Sequence, residues 1–275
     1  MIYYAIEGLD RSGKSYIWDA LYHRLKDENY LEPGGASVMR LDAGLYDRIK
    51  AGGTPPDVLF VREPSALHLG EIARRAVCWD GLQDPAGFFL MQAQRAELLD
   101  FLRPLPSVVI SDRCLISGVA YSIDIPVKEA LEVSLLATKG RLPSLVLMLN
   151  ANLENIYRHL EKTILAKVPD AIEKRGRAYY AKVAERYKEV LHLLKNEYNI
   201  VIKELGGYEE GGDRLKEAYD FFNIPAALDS ISKPAVQAAP VKKEDRWSYH
   251  WLAAVARYKK DLPDILMDDP LTSRR

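Results

Sequence analysis

Short, unbroken apolar runs alternate along the chain with longer stretches whose apolar residues recur at helical spacing. The runs fall at residues 2–6, 58–61, 108–110, 145–149 and 200–202. They are continuous rather than alternating, as in strands covered on both faces, and so predict a five-stranded parallel sheet in an α/β chain. Helical stretches are expected near 14–29, 67–79, 85–102, 127–138, 152–166 and 171–197. The last carries Val183, Tyr187, Val190, Leu191 and Leu194 at helical spacing, a stripe that reads as core. The predicted architecture is three layers, the sheet flanked by helices.

Two segments interrupt this rhythm. Residues 32–57 contain Pro33, Gly34, Gly35, Gly52, Gly53, Pro55 and Pro56, and read as a long excursion between the first helix and the second strand. Excursions of that length in compact domains tend to be functional or disordered. Past about residue 223 the chain becomes rich in Ala, Pro, Ser and Lys, as linkers are. Trp247, Trp251, Val255 and Tyr258 then share one face of a short helix. The expected organisation is a core domain over 1–223, a linker over 224–245 and a helical tail over 246–275. Packing of the tail on its own domain is the expectation.

The first apolar run leads directly into Gly8-Leu9-Asp10-Arg11-Ser12-Gly13-Lys14-Ser15, which fits G-x-x-x-x-G-K-[ST] between a predicted strand and helix. Glycines let such a loop curl so that successive N–H groups face phosphate oxygens, and the following helix adds its positive end. Lys14 is then expected on the β- and γ-phosphates of ATP, and Ser15 on Mg²⁺. GTPases, ATPases and kinases all share this loop, so the acceptor side must name the reaction. No Asn-Lys-x-Asp guanine-reading motif is present.

Phe60-Val61-Arg62-Glu63-Pro64 ends the second run and Ser111-Asp112-Arg113 ends the third. Ligands of open α/β sheets bind outside the carboxyl ends of strands, so Arg62 and Arg113 are expected to converge near the loop. Paired guanidiniums suit an acceptor that itself carries phosphate, because arginine makes forked, charge-assisted bonds to phosphate oxygens.

Composition narrows the classes. The 275 residues are 48% hydrophobic with a formal net charge of −1, so no global basic field recruits nucleic acid or an anionic membrane. Cys78 and Cys114 suit free thiols in a reducing compartment rather than a disulfide framework. The five histidines show no metal-ligand spacing. With no leader pattern and no bilayer-length apolar run, a cytoplasmic location is expected.

Together these pieces resemble the thymidylate kinase family. The carriers, in the family's order, are IEGLDRSGKS, VREP, QRAE, DRCLISGVAYS and IEKRGRAYYAKVAERY, spanning roughly residues 1–205. The resemblance implies ATP and Mg²⁺ as cofactors, a nucleoside monophosphate acceptor, a lid at about 160–176 and, as in many relatives, a homodimer. It implies an ATP cradle of Gly8, Asp10, Arg11, Ser12, Gly13, Lys14 and Ser15, with Arg158 stacked on adenine. Asp10 would hold the sugar 3′-hydroxyl, while Arg62 and Arg113 would clamp the acceptor phosphate. Asp112 would help to organise Mg²⁺, Arg95 would bond the pyrimidine carbonyl, and Tyr121 would lie against the sugar. Glu173 and Tyr179 would contact the acceptor. Catalysis would fall to Arg11, Lys14, Asp112 and Arg113, with Arg11 placing the chain in the branch whose catalytic arginine sits in the P-loop.

Some positions depart from the family pattern. Met91 stands where the family has a phenylalanine stacked on the base, and Ala171 where the lid usually has arginine. The alternative functions are a deoxynucleoside kinase, or a non-catalytic nucleotide-binding protein acting through its tail. The arginine pair argues against the first, and Arg11, Lys14, Ser15 and Asp112 against the second.

Overall fold

The structure, a computed structural model, describes residues 1–27, 35–150, 152–166, 168–206 and 213–232. Strands β1 (Ile2–Gly8), β2 (Val38–Arg40), β3 (Val58–Arg62), β4 (Val108–Asp112), β5 (Leu145–Asn150) and β6 (Val201–Gly206) form one sheet ordered β2-β3-β4-β1-β5-β6. Every neighbouring pair is parallel. The sheet therefore has six strands rather than five.

The additional strand is β2, inside the segment expected as an excursion. Its three residues are all half-buried and pair only with β3, so they leave no continuous apolar run to detect. The same segment also holds helix α2 (Ala43–Lys50), started by Asp42, whose Oδ1 accepts from Leu45 N at 2.7 Å. Leu45 is buried and Tyr46 packs against Phe101 at 4.7 Å between ring centroids. The ends of the segment are clipped together where the Ser37 amide and hydroxyl donate to Asp57 Oδ2 at 2.7 and 2.9 Å.

Helices cover both sheet faces. Helix α1 (Lys14–Asp27), α9 (Arg214–Phe222) and α10 (Ile224–Ser232) contribute to one core with Tyr4, Ile6, Phe60 and Ile110. On the other face α4 (Ala86–Leu102), α5 (Leu115–Tyr121), α6 (Val127–Ala137), α7 (Leu153–Ala166) and α8 (Gly176–Tyr198) contribute to a second core with Tyr3, Ala5 and Val109. Successive strand residues thus serve opposite cores, which is why the runs are apolar throughout. Helix α3 (His68–Ala73) continues as a π-helical stretch over Arg74–Trp79.

Helix α10 occupies the start of the segment expected as linker. Its Ile224 and Ala227 are buried, and Phe222 just before it stacks on Tyr4 at 5.3 Å. The apolar face of this short helix outweighs the linker-like composition around it. The expected tail over 246–275 lies outside the described residues. Among the described residues no helix is long and apolar enough to cross a membrane.

Candidate active site

At the carboxyl ends of β1, β3 and β4 lies a cavity of about 630 Å³, within the usual range for small-molecule sites. The P-loop forms one wall. Gly8 takes a φ of +143°, and a Cβ there would stand 2.6 Å from Leu149 O, so the strand can turn into the loop only without a side chain. Arg11 adopts a left-handed φ of 66° and Arg113 one of 75°, a cost of about 1–3 kcal/mol each for non-glycine residues that the surrounding fold must offset.

Lys14 is buried, and its Nζ donates to Leu9 O at 2.6 Å. Burial, then the charge of Arg113, lowers its pKa to about 8. Ser15 Oγ donates to Asp112 Oδ2 at 3.0 Å, and Arg62 Nε donates to the same oxygen at 3.0 Å. Asp112 Oδ1 and Ser12 Oγ are buried with no hydrogen-bond partner among the described residues. Asp112, with one carboxylate oxygen orphaned and the other bonded to the Ser15 hydroxyl, makes with that serine a fitting donor set for Mg²⁺, a hard cation that prefers oxygen ligands.

Arg113 ties the acceptor wall to the loop. Its Nη2 bonds Asp10 Oδ1, and its Nη1 donates to Ser117 Oγ at 2.8 Å and to Gly8 O at 3.4 Å. Burial works to raise the Asp10 pKa. Arg113, then Lys14 and the hydroxyls of Tyr121 and Tyr180, outweigh it and hold the carboxyl below its usual range. Tyr121 OH accepts from Asp10 N at 2.9 Å, and its ring lies 5.3 Å from the Arg113 guanidinium.

Beneath this wall Glu7, fully buried, accepts from the backbone N–H of Cys114 at 2.7 Å and of Ser117 at 3.2 Å. A carboxylate there satisfies otherwise orphaned N–H groups at the start of α5 and so fixes the DR-x-x-x-S turn.

The cavity brings together Asp10, Arg11, Gly13, Lys14, Ser15, Arg62, Met91, Asp112, Arg113, Tyr121, Glu173 and Tyr179. Gly8 and Ser12 sit in the loop backbone behind that surface. Arg95 is not on the wall. It is 1% exposed, donates from Nε to Glu63 Oε2 at 2.6 Å and from Nη1 to Gln92 Oε1 at 2.7 Å, and lies behind Gly118. A Cβ on Gly118 would stand 3.0 Å from the guanidinium nitrogens.

Arg158 is exposed on α7 and does not line the cavity, whereas the adjacent His159 does. Arg11 pairs with Glu173, and Ala171 N donates to Cys78 O at 2.7 Å, so part of the expected lid is a turn joined to the loop and to the π-helical stretch. The rest of that lid, residues 160–166, belongs to α7, and Lys167 lies outside the described residues. The Glu63-Pro64 peptide is cis.

Several wall residues have no role assigned from the sequence. Arg74, which donates to Pro64 O at 2.8 Å, and Arg175, which donates to Gln83 Oε1 at 3.1 Å, both line the cavity. Asp84 lines it too, and its Oδ2 is buried with no partner among the described residues. Burial, then the nearby Asp124, raises the Asp84 pKa. Arg74 opens the π-helical stretch, and Asp84 lies in the chain beyond its end at Trp79.

Comparison with known proteins is consistent in kind. The family model described as thymidylate kinase matches residues 42–210. A thymidylate kinase of Aliarcobacter butzleri is 28% identical over 226 residues, covering 81% of this chain and 100% of that protein. One from Helicobacter acinonychis is 31% identical over 170 residues, covering 60% of this chain and 84% of its own. A solved thymidylate kinase structure from Candida albicans aligns with a TM-score of 0.49 at 18% identity, covering 83% of this chain and 92% of that one.

Proposed function

This chain belongs to the thymidylate kinase family, and from that premise we propose that it transfers the γ-phosphoryl group of ATP to thymidylate. It is a nucleoside monophosphate kinase, with ATP as the family's phosphate donor. The observation that carries the reading is the meeting, in one cavity, of the P-loop with two arginines from neighbouring strand ends.

In this reading Lys14 and the loop N–H groups hold the donor phosphates, while Arg62 and Arg113 hold the acceptor phosphate in line with them. Asp10 and Tyr121 receive the sugar. Met91 supplies an apolar wall for the base, with Tyr179 closing the acceptor side. Arg95 donates to a base carbonyl past Gly118, which has no side chain to screen it. Arg11 places the chain in the branch with the catalytic arginine in the P-loop. Its charge meets the one that develops on the transferring group. Ser15 and Asp112 would hold Mg²⁺, which when bound neutralises charge on the phosphate oxygens. No covalent nucleophile is required.

A panel of deoxy- and ribonucleoside monophosphates with ATP, read by ADP release, tests this assignment. Thymidylate should turn over best, dUMP-like acceptors next and purines last. A purine preference would refute the base site, and turnover of free thymidine alone would refute the phosphate clamp.

A further inference from the structure

Arg11 and Glu173 lie 162 positions apart in the chain and meet as an ion pair, with the carboxylate 7% and the guanidinium 34% exposed. The carboxylate is itself held in place. Glu173 Oε2 accepts from Asp170 N at 3.2 Å, and Asp170 Oδ1 accepts from the amides of Ile172 and Glu173 at 2.9 and 2.8 Å. The turn that carries it is in turn joined to the acceptor wall through the Ala171–Cys78 backbone bond. A long, partly exposed arginine side chain therefore ends on a buried acceptor held by its own turn, at the seam between the donor loop and the acceptor wall.

We propose that Glu173 is the positioning residue of Arg11, aiming its guanidinium at the site of phosphoryl transfer before either nucleotide arrives. The inference rests on the reading of Arg11 as the transition-state arginine. An arginine fixed in advance spends no reorganisation when charge develops, and that is the condition for strong electrostatic stabilisation. Without the carboxylate the guanidinium keeps its charge, and with it the ground-state attraction for phosphate, but loses its aimed geometry. Losing the carboxylate should therefore be felt in kcat rather than in KM. The family resemblance suggests a different role, with Glu173 touching the acceptor, and that role would appear in the acceptor KM.

A double-mutant cycle on the full chain with ATP and thymidylate separates these roles. Arg11→Ala should lower kcat by about 10³-fold, the lower end for a catalytic arginine. Glu173→Gln should lower kcat by about tenfold and leave both KM values within about twofold. The double variant should be no slower than Arg11→Ala by more than about twofold, because the carboxylate has nothing left to aim. Glu173→Asp, with the charge kept on a shorter arm, should fall between wild type and Glu173→Gln, and its cycle stands in if Glu173→Gln fails to fold. Multiplying losses in the double variant, or a raised acceptor KM in both backgrounds, would overturn the positioning role while leaving Arg11 catalytic. An unchanged kcat in Arg11→Ala would instead sink the catalytic reading of Arg11, and this inference with it.

Discussion

The two halves of the site are built in different ways. The donor half is local: eight consecutive residues, Gly8 to Ser15, turn from β1 into α1, and one buried lysine closes them by bonding Leu9 O at 2.6 Å. The acceptor half is assembled from the ends of β3 and β4, from α4 and α5, and from the turn before α8. A local site depends on backbone conformation, whereas an assembled one depends on the sheet register that sets Arg62 beside Asp112. Damage to the first should therefore be confined to the donor, and damage to the second should spread along its network.

Lys14→Ala is the sharpest test of the donor half and should lower kcat/KM for ATP by about 10³-fold or more, with the fold intact by circular dichroism. ADP formation close to wild type would show that the donor site lies elsewhere. Arg113→Ala should break the comparison, because this residue touches Asp10 and Gly8 O in the loop as well as Ser117. It is expected to weaken both nucleotides, raising acceptor KM by about 10²-fold and ATP KM by about tenfold. Arg62→Ala, which reaches the loop only through the shared Asp112, should raise acceptor KM by about tenfold and leave ATP binding within about twofold. Equal effects of the two arginine variants on ATP would remove the distinction between the halves.

The Lys14 pKa of about 8 sets a pH test of the donor half. Phosphate binding selects the charged lysine, so ATP affinity should be level below that pH and fall by up to about tenfold per unit above it. The stability of the nucleotide-free protein should move the other way. Between about 8 and the ordinary lysine value of 10.5 the unfolded chain holds the extra proton, so stability rises with pH across that window. Titration calorimetry in buffers of different ionisation enthalpy should detect proton uptake on ATP binding above pH 8. No uptake there would contradict a lysine held near 8.

The smallest effect belongs to the base wall. Met91→Phe should increase the preference for thymidylate over other deoxynucleoside monophosphates by about threefold, since a flat rigid ring discriminates better than a flexible thioether. An unchanged ratio would place the base away from Met91.

The phosphate loop, five of the six strands and the placement of Arg62 and Arg113 at neighbouring strand ends were legible in the residues alone. Each of these is written in contiguous residues whose spacing maps directly onto backbone geometry. The sequence did not reveal β2, whose three half-buried residues carry no run, or α2, which rests on a cap and few buried side chains. Arg158, expected at the nucleotide from the family resemblance, does not line the cavity, whereas the adjacent His159, turned about 100° around the helix, does. Tertiary structure alone decided that Arg95 stands behind Gly118 instead of on the cavity wall, that Arg74 and Asp84 reach that wall, and that Arg11 ends on Glu173. These contacts join segments far apart in the chain, and no local pattern encodes the sheet order and turn geometry that bring them together.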